Sequence, residues 1–391
     1  MRRCVNRGAG SKSLNLRFSN MTMGTSIRVP FLDLAAQYES IRGEIDAAIA
    51  EVVRTQRFIL GSEESRFDKA FAAHAGIRDA VGCSCGTSAL FIALTALGVP
   101  RGAEVIVPTL TYPATAEAVI LAGAVPVLVD VEPDTGLIDI EALERAVTPK
   151  TWGVLPVHLY GQMADMEAIA VVAKRHGLKV VEDAAQAHAA ESRGQRPGAI
   201  GDAATFSFFP GKNLGAYGDA GAIVTRDAER AAWMRQYRNH GRLDKYRHDF
   251  VGFNFRLDGI QAAVLMAKLP HLDEWTEGRR RVAAQYRRAF EGSGITCVAE
   301  RPHNKHVYHL FVIRHPQRDT LKKALGERGI DCGLHYPIPL HLQPAFATAG
   351  CPEGALPRAE ALCRELLSLP VFPEMTQDQI DYVISEVRAH A

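Results

Sequence analysis

The chain has 391 residues, 45 Lys plus Arg against 44 Asp plus Glu, and a formal net charge of +1. Apolar residues make up 47% and charged residues 23%, the profile of an ordinary soluble globular protein long enough for two domains. The balanced charge carries no global field directed at nucleic acid or an acidic membrane, and no apolar run reaches the roughly 18 residues that a bilayer span requires.

Residues 1–28 are basic and polar and lack the apolar segment of a secretory signal, so they are expected to form a flexible extension, with Met21 or Met23 as alternative starts. From Val29 the pattern becomes regular. "YESIRGEIDAAIAEVV" sets Ile41, Ile45, Ala48, Ile49 and Val52 at helical spacing. "CGTSALFIALTALG" predicts a helix opened by Gly-Thr-Ser and closed by Gly98. The β-branched runs "EVIVP", "VPVLVDV", "WGVLPVHL" and "LKVVEDA" alternate with the helical stretches "PATAEAVILAG", "DIEALERAV" and "MEAIAVVAKRHG". Such alternation predicts right-handed crossovers and a mostly parallel sheet with helices on both faces, an α/β fold. "DAATFSFF" and "AGAIVT" add strands on either side of Lys212. One long helix is expected over 259–291, leading into a smaller α+β domain. The expected division is a large domain over 29–258, then a linking helix and small C-terminal domain over 259–391. Seven scattered cysteines, with Cys83 and Cys85 as C-x-C, fit neither a zinc site nor a redox pair; reduced thiols and a cytoplasmic location are expected.

In parallel α/β sheets, ligands bind outside the carboxyl ends of the strands. Four stretches fall there. Gly86, Thr87 and Ser88 offer free N–H groups and hydroxyls at a helix start, suited to an anion or to simple capping. Tyr112, after "EVIVP", suits either a flat ring or core packing. Asp183 and Gln186 in "VVEDAAQAH" can face one pocket; Asp183 could equally cap a helix, and a metal site with Glu182 and His188 matches no ligand spacing. Lys212, on the Pro-Gly turn of "FSFFPGKNLG", is either a surface charge or an amine kept deprotonated beside apolar strands, as Schiff-base chemistry requires. Together the anion site, strand-end carboxylate and lysine form a parts list for pyridoxal 5'-phosphate.

From about Val29 to Ala391 the chain resembles the sugar aminotransferases of the DegT/DnrJ/EryC1/StrS group. The resemblance rests on "VPFLDLAAQY", "FILG", "CGTSALFIAL", "PVHLYGQMADM", "VVEDAAQAHAA", "FSFFPGKNLGAYGDAGA", "YRNHG", "GFNFRLDGIQAAVL" and "LHYPIPLHLQPAF". It implies a fold-type I pyridoxal-phosphate transferase whose large domain holds a mostly parallel seven-stranded sheet. It further implies that Lys212 carries the cofactor as a Schiff base, Asp183 pairs with the pyridine nitrogen and Gln186 bonds the 3-hydroxyl. Tyr112 would stack on the ring, and Gly86, Thr87 and Ser207 would hold the phosphate. Asn254 would reach the neighbouring subunit's phosphate, which implies a homodimer with shared sites. The implied reaction is ping-pong transamination between an amino-acid donor, usually glutamate, and a nucleotide-linked keto-sugar, with pyridoxamine 5'-phosphate as the alternate cofactor form. The C-terminal segments look most like the branch acting at C3 of 3-keto hexoses, with the C4 branch as the alternative. Lys245, Tyr246, His248, His335, Tyr336 and His341 are the expected sugar contacts, although "YPIP" also suits a rigid turn. The chain departs from the group's pattern at Cys85, where Ser is usual, and at Ala189, where Gly is commoner. Lys212 itself is retained where a dehydratase branch has His. Two rivals stand beside this reading. A non-catalytic ligand sensor on the same fold is one. A nicotinamide dehydrogenase is the other, and no G-x-G-x-x-G after a strand supports it.

Overall fold

Seven short strands, β1 Asp79–Cys83, β2 Glu104–Pro108, β3 Val125–Val129, β4 Thr151–Val154, β5 Lys179–Asp183, β7 Ala203–Ser207 and β8 Gly221–Thr225, form one sheet in the order β1-β8-β7-β5-β4-β2-β3. These strands and those below belong to a computed structural model that describes residues 27–391. Residues 1–26, and with them most of the expected flexible extension and both alternative starts, lie outside the described residues. Of the seven strands only β8 runs antiparallel to its neighbours. The carboxyl ends of β1, β2, β5 and β7 therefore open on one edge of the sheet, and β8 begins at that edge.

The strands are apolar on both faces because both are covered. Val105, Val107, Val181 and Ile223 pack on one side with Leu90, Ile92 and Val119 from helices α4 (Gly86–Ala96) and α5 (Ala114–Leu121). Their sequence neighbours Ile106, Val180, Ala222 and Val224 pack on the other. There they meet Phe67 and Phe71 of α3 (Ser62–Ala75) and Ile169 and Val172 of α7 (Met166–His176). The period of two along each strand divides its side chains between these two layers. Two amino-terminal helices, α1 Leu34–Ser40 and α2 Arg42–Thr55, precede α3; α6 Ile140–Arg145 and α8 Ala228–Tyr237 complete this part.

The expected helix over 259–291 is two helices, α9 Gly259–Lys268 and α10 Leu272–Phe290, separated by a 3₁₀ turn at Leu269–His271. Pro270 explains the break, since it has no N–H to continue the ladder. Beyond α10, β9 Thr296–Cys297, β11 Phe311–Arg314 and β12 Leu366–Leu369 form an antiparallel sheet, flanked by α11 Arg318–Glu327, α12 Pro357–Glu365 and α13 Gln377–His390. A ribbon of β6 Glu191–Ser192 with β10 Asn304–Lys305 joins the two parts. Val29, expected to begin the large domain, instead bridges Ile330 and is buried in the C-terminal apolar cluster. No helix among the described residues is long and apolar enough to cross a membrane.

Candidate active site

The strand that delivers Lys212 divides its side chains cleanly. Phe206 and Phe208 point into the core, edge-on to Phe71 at 5.0 and 5.1 Å between ring centroids, whereas Ser207 faces Gly86. The chain then turns at Pro210-Gly211 and closes on itself. The Lys212 N–H donates to the Phe209 carbonyl at 2.8 Å, and the Ala216 N–H donates to that of Phe208 at 2.8 Å. Lys212 is left half-buried within this loop. Burial lowers its ammonium from an ordinary 10.5 to about 8, against the opposing pull of the Asp183 charge.

Asp183, the last residue of β5, is buried. Its Oδ2 accepts from Thr115 Oγ1 at 2.8 Å and its Oδ1 from the Ala185 N–H at 3.1 Å. Burial raises its carboxyl above the ordinary value, while those two donors and the Lys212 charge act to keep it ionised. Gln186 is pinned at both ends of its amide. Its Oε1 accepts from the Tyr160 N–H at 2.6 Å, and its Nε2 donates to the Tyr336 hydroxyl at 3.1 Å. Tyr160 holds a left-handed backbone (φ 62°) and donates its own hydroxyl to the His335 carbonyl.

The start of α4 lies against Ser207 at the same edge. A Cβ on Gly86 would stand 2.8 Å from that of Ser207, so only glycine permits this approach. Gly221, where β8 begins, is equally confined, with 2.4 Å between its would-be Cβ and the Cys85 carbonyl. Cys85 fills the role of the usual serine at the cap. Its Sγ accepts from the Ser88 N–H at 3.4 Å, and Ser88 Oγ accepts from the Cys85 N–H at 3.0 Å. The N–H groups of Gly86 and Thr87 lie in the first turn, where no intrahelical acceptor exists. With the positive end of the helix dipole and Ser207 opposite, they make a cradle suited to phosphate.

The remaining expected residues separate into two groups. Tyr112, 58% exposed, lies with its ring centroid 6.0 Å from that of Tyr336, whose hydroxyl Gln186 bonds. His335, next to Tyr336, bonds Ser368 Oγ through Nδ1 at 2.9 Å and stacks on Phe31; burial lowers its imidazole to about 4. His341 does not offer itself to a sugar. It is 4% exposed, and both ring nitrogens are used within the chain, Nδ1 with Thr109 Oγ1 at 2.8 Å and Nε2 with Glu360 at 3.1 Å. Lys245, Tyr246 and His248 lie on an exposed loop, Tyr246 at 82% exposure, and among the described residues their hydrogen bonds and cation–π contact stay within the loop and its base. Asn254, also exposed, follows this loop and bridges Asn239 through its backbone. Glu182, weighed as a metal ligand, instead bonds the buried His158 at 2.8 Å and the Gly201 N–H at 2.8 Å. His188 is buried against the rings of Phe206 and Phe208.

Sequence reasoning missed Thr115 and Tyr160. Thr115 is the second residue of the apolar helix α5, and its hydroxyl has meaning only once β5 brings Asp183 opposite. Tyr160 acts through its backbone N–H, which no residue pattern announces.

A cradle without a Cβ, a buried carboxylate and an amine held near its free form fit the phosphate, pyridine nitrogen and aldehyde of pyridoxal 5'-phosphate. Comparison with known proteins agrees. Residues 39–388 match the DegT/DnrJ/EryC1/StrS aminotransferase family. A "dTDP-3-amino-3,4,6-trideoxy-alpha-D-glucose transaminase" of Streptomyces venezuelae is 49% identical over 93% of this chain and 96% of its own length. A "pleiotropic regulatory protein" of Geobacillus stearothermophilus is 50% identical over 92% of this chain and 98% of its own. Among solved structures, S. venezuelae DesV in complex with a ketimine intermediate is similar with a TM-score of 0.91 at 49% identity, covering 93% of this chain and 98% of that one.

Proposed function

Because the chain belongs to the DegT/DnrJ/EryC1/StrS aminotransferase family, we propose that it transfers an amino group from glutamate to the C3 keto carbon of a nucleotide-diphosphate-linked hexose. The observation that carries this reading is the convergence of Lys212, Asp183 and the Gly86–Ser207 cradle on one edge of the sheet. When bound, pyridoxal 5'-phosphate supplies an aldehyde that holds the amine and a ring that accepts an electron pair. The chain does the rest. Gly86, Thr87 and Ser207 bind the phosphate, and Tyr112 covers the ring. Asp183, oriented by Thr115, keeps a proton on the pyridine nitrogen, and Gln186 is assigned the 3-hydroxyl. Lys212 Nζ would take the proton from the carbon bearing the donor's amino group and give it to the carbon on the other side of that nitrogen, so that the nitrogen leaves the donor, which departs as a keto acid. With a pKa of about 8, about a quarter of the lysine is free amine at pH 7.5, against about one part in a thousand at the ordinary value.

Tyr336, bonded to Gln186, and its neighbour His335 are assigned to the sugar, with Lys245, Tyr246 and His248 reaching it from their exposed loop. His341 braces Thr109 to Glu360 instead. Asn254 is assigned to a partner copy's phosphate, consistent with its exposure, so the working form is a homodimer. The 3-amino name of the S. venezuelae transaminase favours C3 over C4. The regulatory name of the Geobacillus relative leaves open a sensing role, but a sensor has no need of an amine held near its free form. The absence of disulfides among the described cysteines is compatible with a cytoplasmic location.

The test is direct. Purified protein is incubated with glutamate and a panel of nucleotide-linked keto-sugars, and products are read by mass and by NMR for the aminated carbon. A 3-amino sugar is expected, and Lys212→Ala is expected to give none. A panel in which only 4-keto sugars are aminated would move the assignment to C4, and turnover by Lys212→Ala would overturn the mechanism.

A further inference from the structure

The loop bearing Lys212 is held by more than its own hydrogen bonds. Helix α9 presents Gln261 and Lys268, seven residues and two turns apart, on one face. Gln261 Oε1 accepts from the Tyr217 N–H at 2.8 Å. Lys268 Nζ donates to the Gly215 carbonyl at 2.9 Å and stands 4.2 Å from the centroid of the Tyr217 ring. Gly215 has no slack, since a Cβ there would lie 2.3 Å from the Pro210 carbonyl oxygen. Both limbs of the loop are thus fixed: at Phe208 and Phe209 by its own backbone bonds, and at Gly215 and Tyr217 by α9.

Lys268 is an unusual choice for a merely structural contact. It is 0% exposed, and burial lowers its ammonium to about 8. The Glu374 carboxylate supplies the opposing charge, acting on both Lys268 and the buried Arg279 of α10. A neutral donor would satisfy one carbonyl without the cost of desolvating a cation. An ammonium gives a stronger hydrogen bond to Gly215 and grips the Tyr217 ring as well. We propose that Gln261 and Lys268 are positioning residues for the transamination, clamping the loop so that the Lys212 amine is delivered to one place. The proposal rests on Lys212 as the Schiff-base lysine.

Two readouts test it. One is the rate at which added pyridoxal 5'-phosphate becomes borohydride-reducible on Lys212, located by peptide mass. The other is kcat against KM for the sugar. In Gln261→Leu and Lys268→Met the adduct is expected to form more slowly. Their kcat is expected to fall about 10- to 100-fold while KM changes less than about threefold, the pattern of a misplaced reacting group. Gln261→Glu keeps the acceptor for Tyr217 and should recover most of the rate. Should Lys268→Met fold poorly, the half-buried Gln261 pair decides. A wild-type adduct at Lys212 with both variants at wild-type rates overturns the clamp alone. A wild-type protein with no adduct at Lys212 overturns the functional reading and the clamp with it.

Discussion

Lys212 answers to two demands that conflict. Chemistry needs part of its amine free near neutral pH, and burial moves it towards that by making the ammonium less favourable in the folded state. The same burial weakens the fold. Below pH about 8 the lysine is charged in both folded and unfolded chains, so the full cost is present. Between about 8 and 10.5 the folded protein has released the proton that the unfolded chain still binds; stability therefore rises with pH there, and the cost disappears above. A lowering from 10.5 to about 8 corresponds to at most about 3 kcal/mol. Lys212→Met, which fills similar space without charge, should therefore stabilise the cofactor-free protein at pH 7 by about 1–3 kcal/mol. That gain over wild type should shrink on passing from pH 8 to above 10.5. Urea denaturation of both proteins at pH 7 and pH 10.5 measures it. An equal difference at the two pH values would mean that the folded lysine titrates normally.

Elements decide where such residues meet, and here sequence and structure agree unevenly. The strand ends at Pro108 and Asp183 are legible because each apolar run stops at a turn or polar residue, whereas β1, ending at Cys83, goes unread as a strand and "DAATFSFF" runs past the true end at Ser207. All four ends share one edge because β2, β5 and β7 run parallel and β1 is antiparallel to β8. Side chains serving a neighbour were not legible. Thr115 looks like any helical threonine, and His341 looks like a ligand contact until Thr109 and Glu360 are seen to occupy its ring. The expected single helix over 259–291 divides in two because apolar spacing continues through Pro270 while the hydrogen-bond ladder cannot. Gly86 was read as a source of free N–H groups, yet its missing Cβ matters as much. Gly86→Ala would force a methyl to 2.8 Å from Ser207 Cβ and prise the helix start from the strand. Overpacking of this kind costs about 1–3 kcal/mol, seen as a lower Tm. The sharper expectation concerns affinity. Gly86→Ala should bind pyridoxal 5'-phosphate at least about tenfold more weakly while binding pyridoxal, which lacks the phosphate, nearly as well. Absorbance titration with both compounds distinguishes a damaged cradle from a damaged ring site. Equal losses for the two would place the phosphate elsewhere.

At the scale of the whole molecule, the residues assigned to one site do not all come together in one chain. Lys212, Asp183 and Ser207 converge, whereas Asn254 and the loop with Lys245, Tyr246 and His248 remain exposed and unattached to that cluster. Phe209 and Phe253 lie in the same stretches and are also exposed, at 57% and 40%. A two-fold dimer reconciles these facts if each Asn254 serves the opposite cradle. Complementation then gives an unambiguous outcome. Lys212→Ala has no amine, and Asn254→Asp puts a negative charge where a phosphate should sit. In a hybrid dimer one site collects both defects and the other receives an intact Lys212 and an intact Asn254. Random exchange of equal amounts makes half of the dimers hybrid, each with one of two sites restored, so the mixture should regain about a quarter of wild-type activity. If Asn254 acts within its own chain, every site keeps at least one defect, and mixing gives no more than the Asn254→Asp protein contributes by itself. Glutamate-dependent amination, measured before and after subunit exchange, separates the two cases.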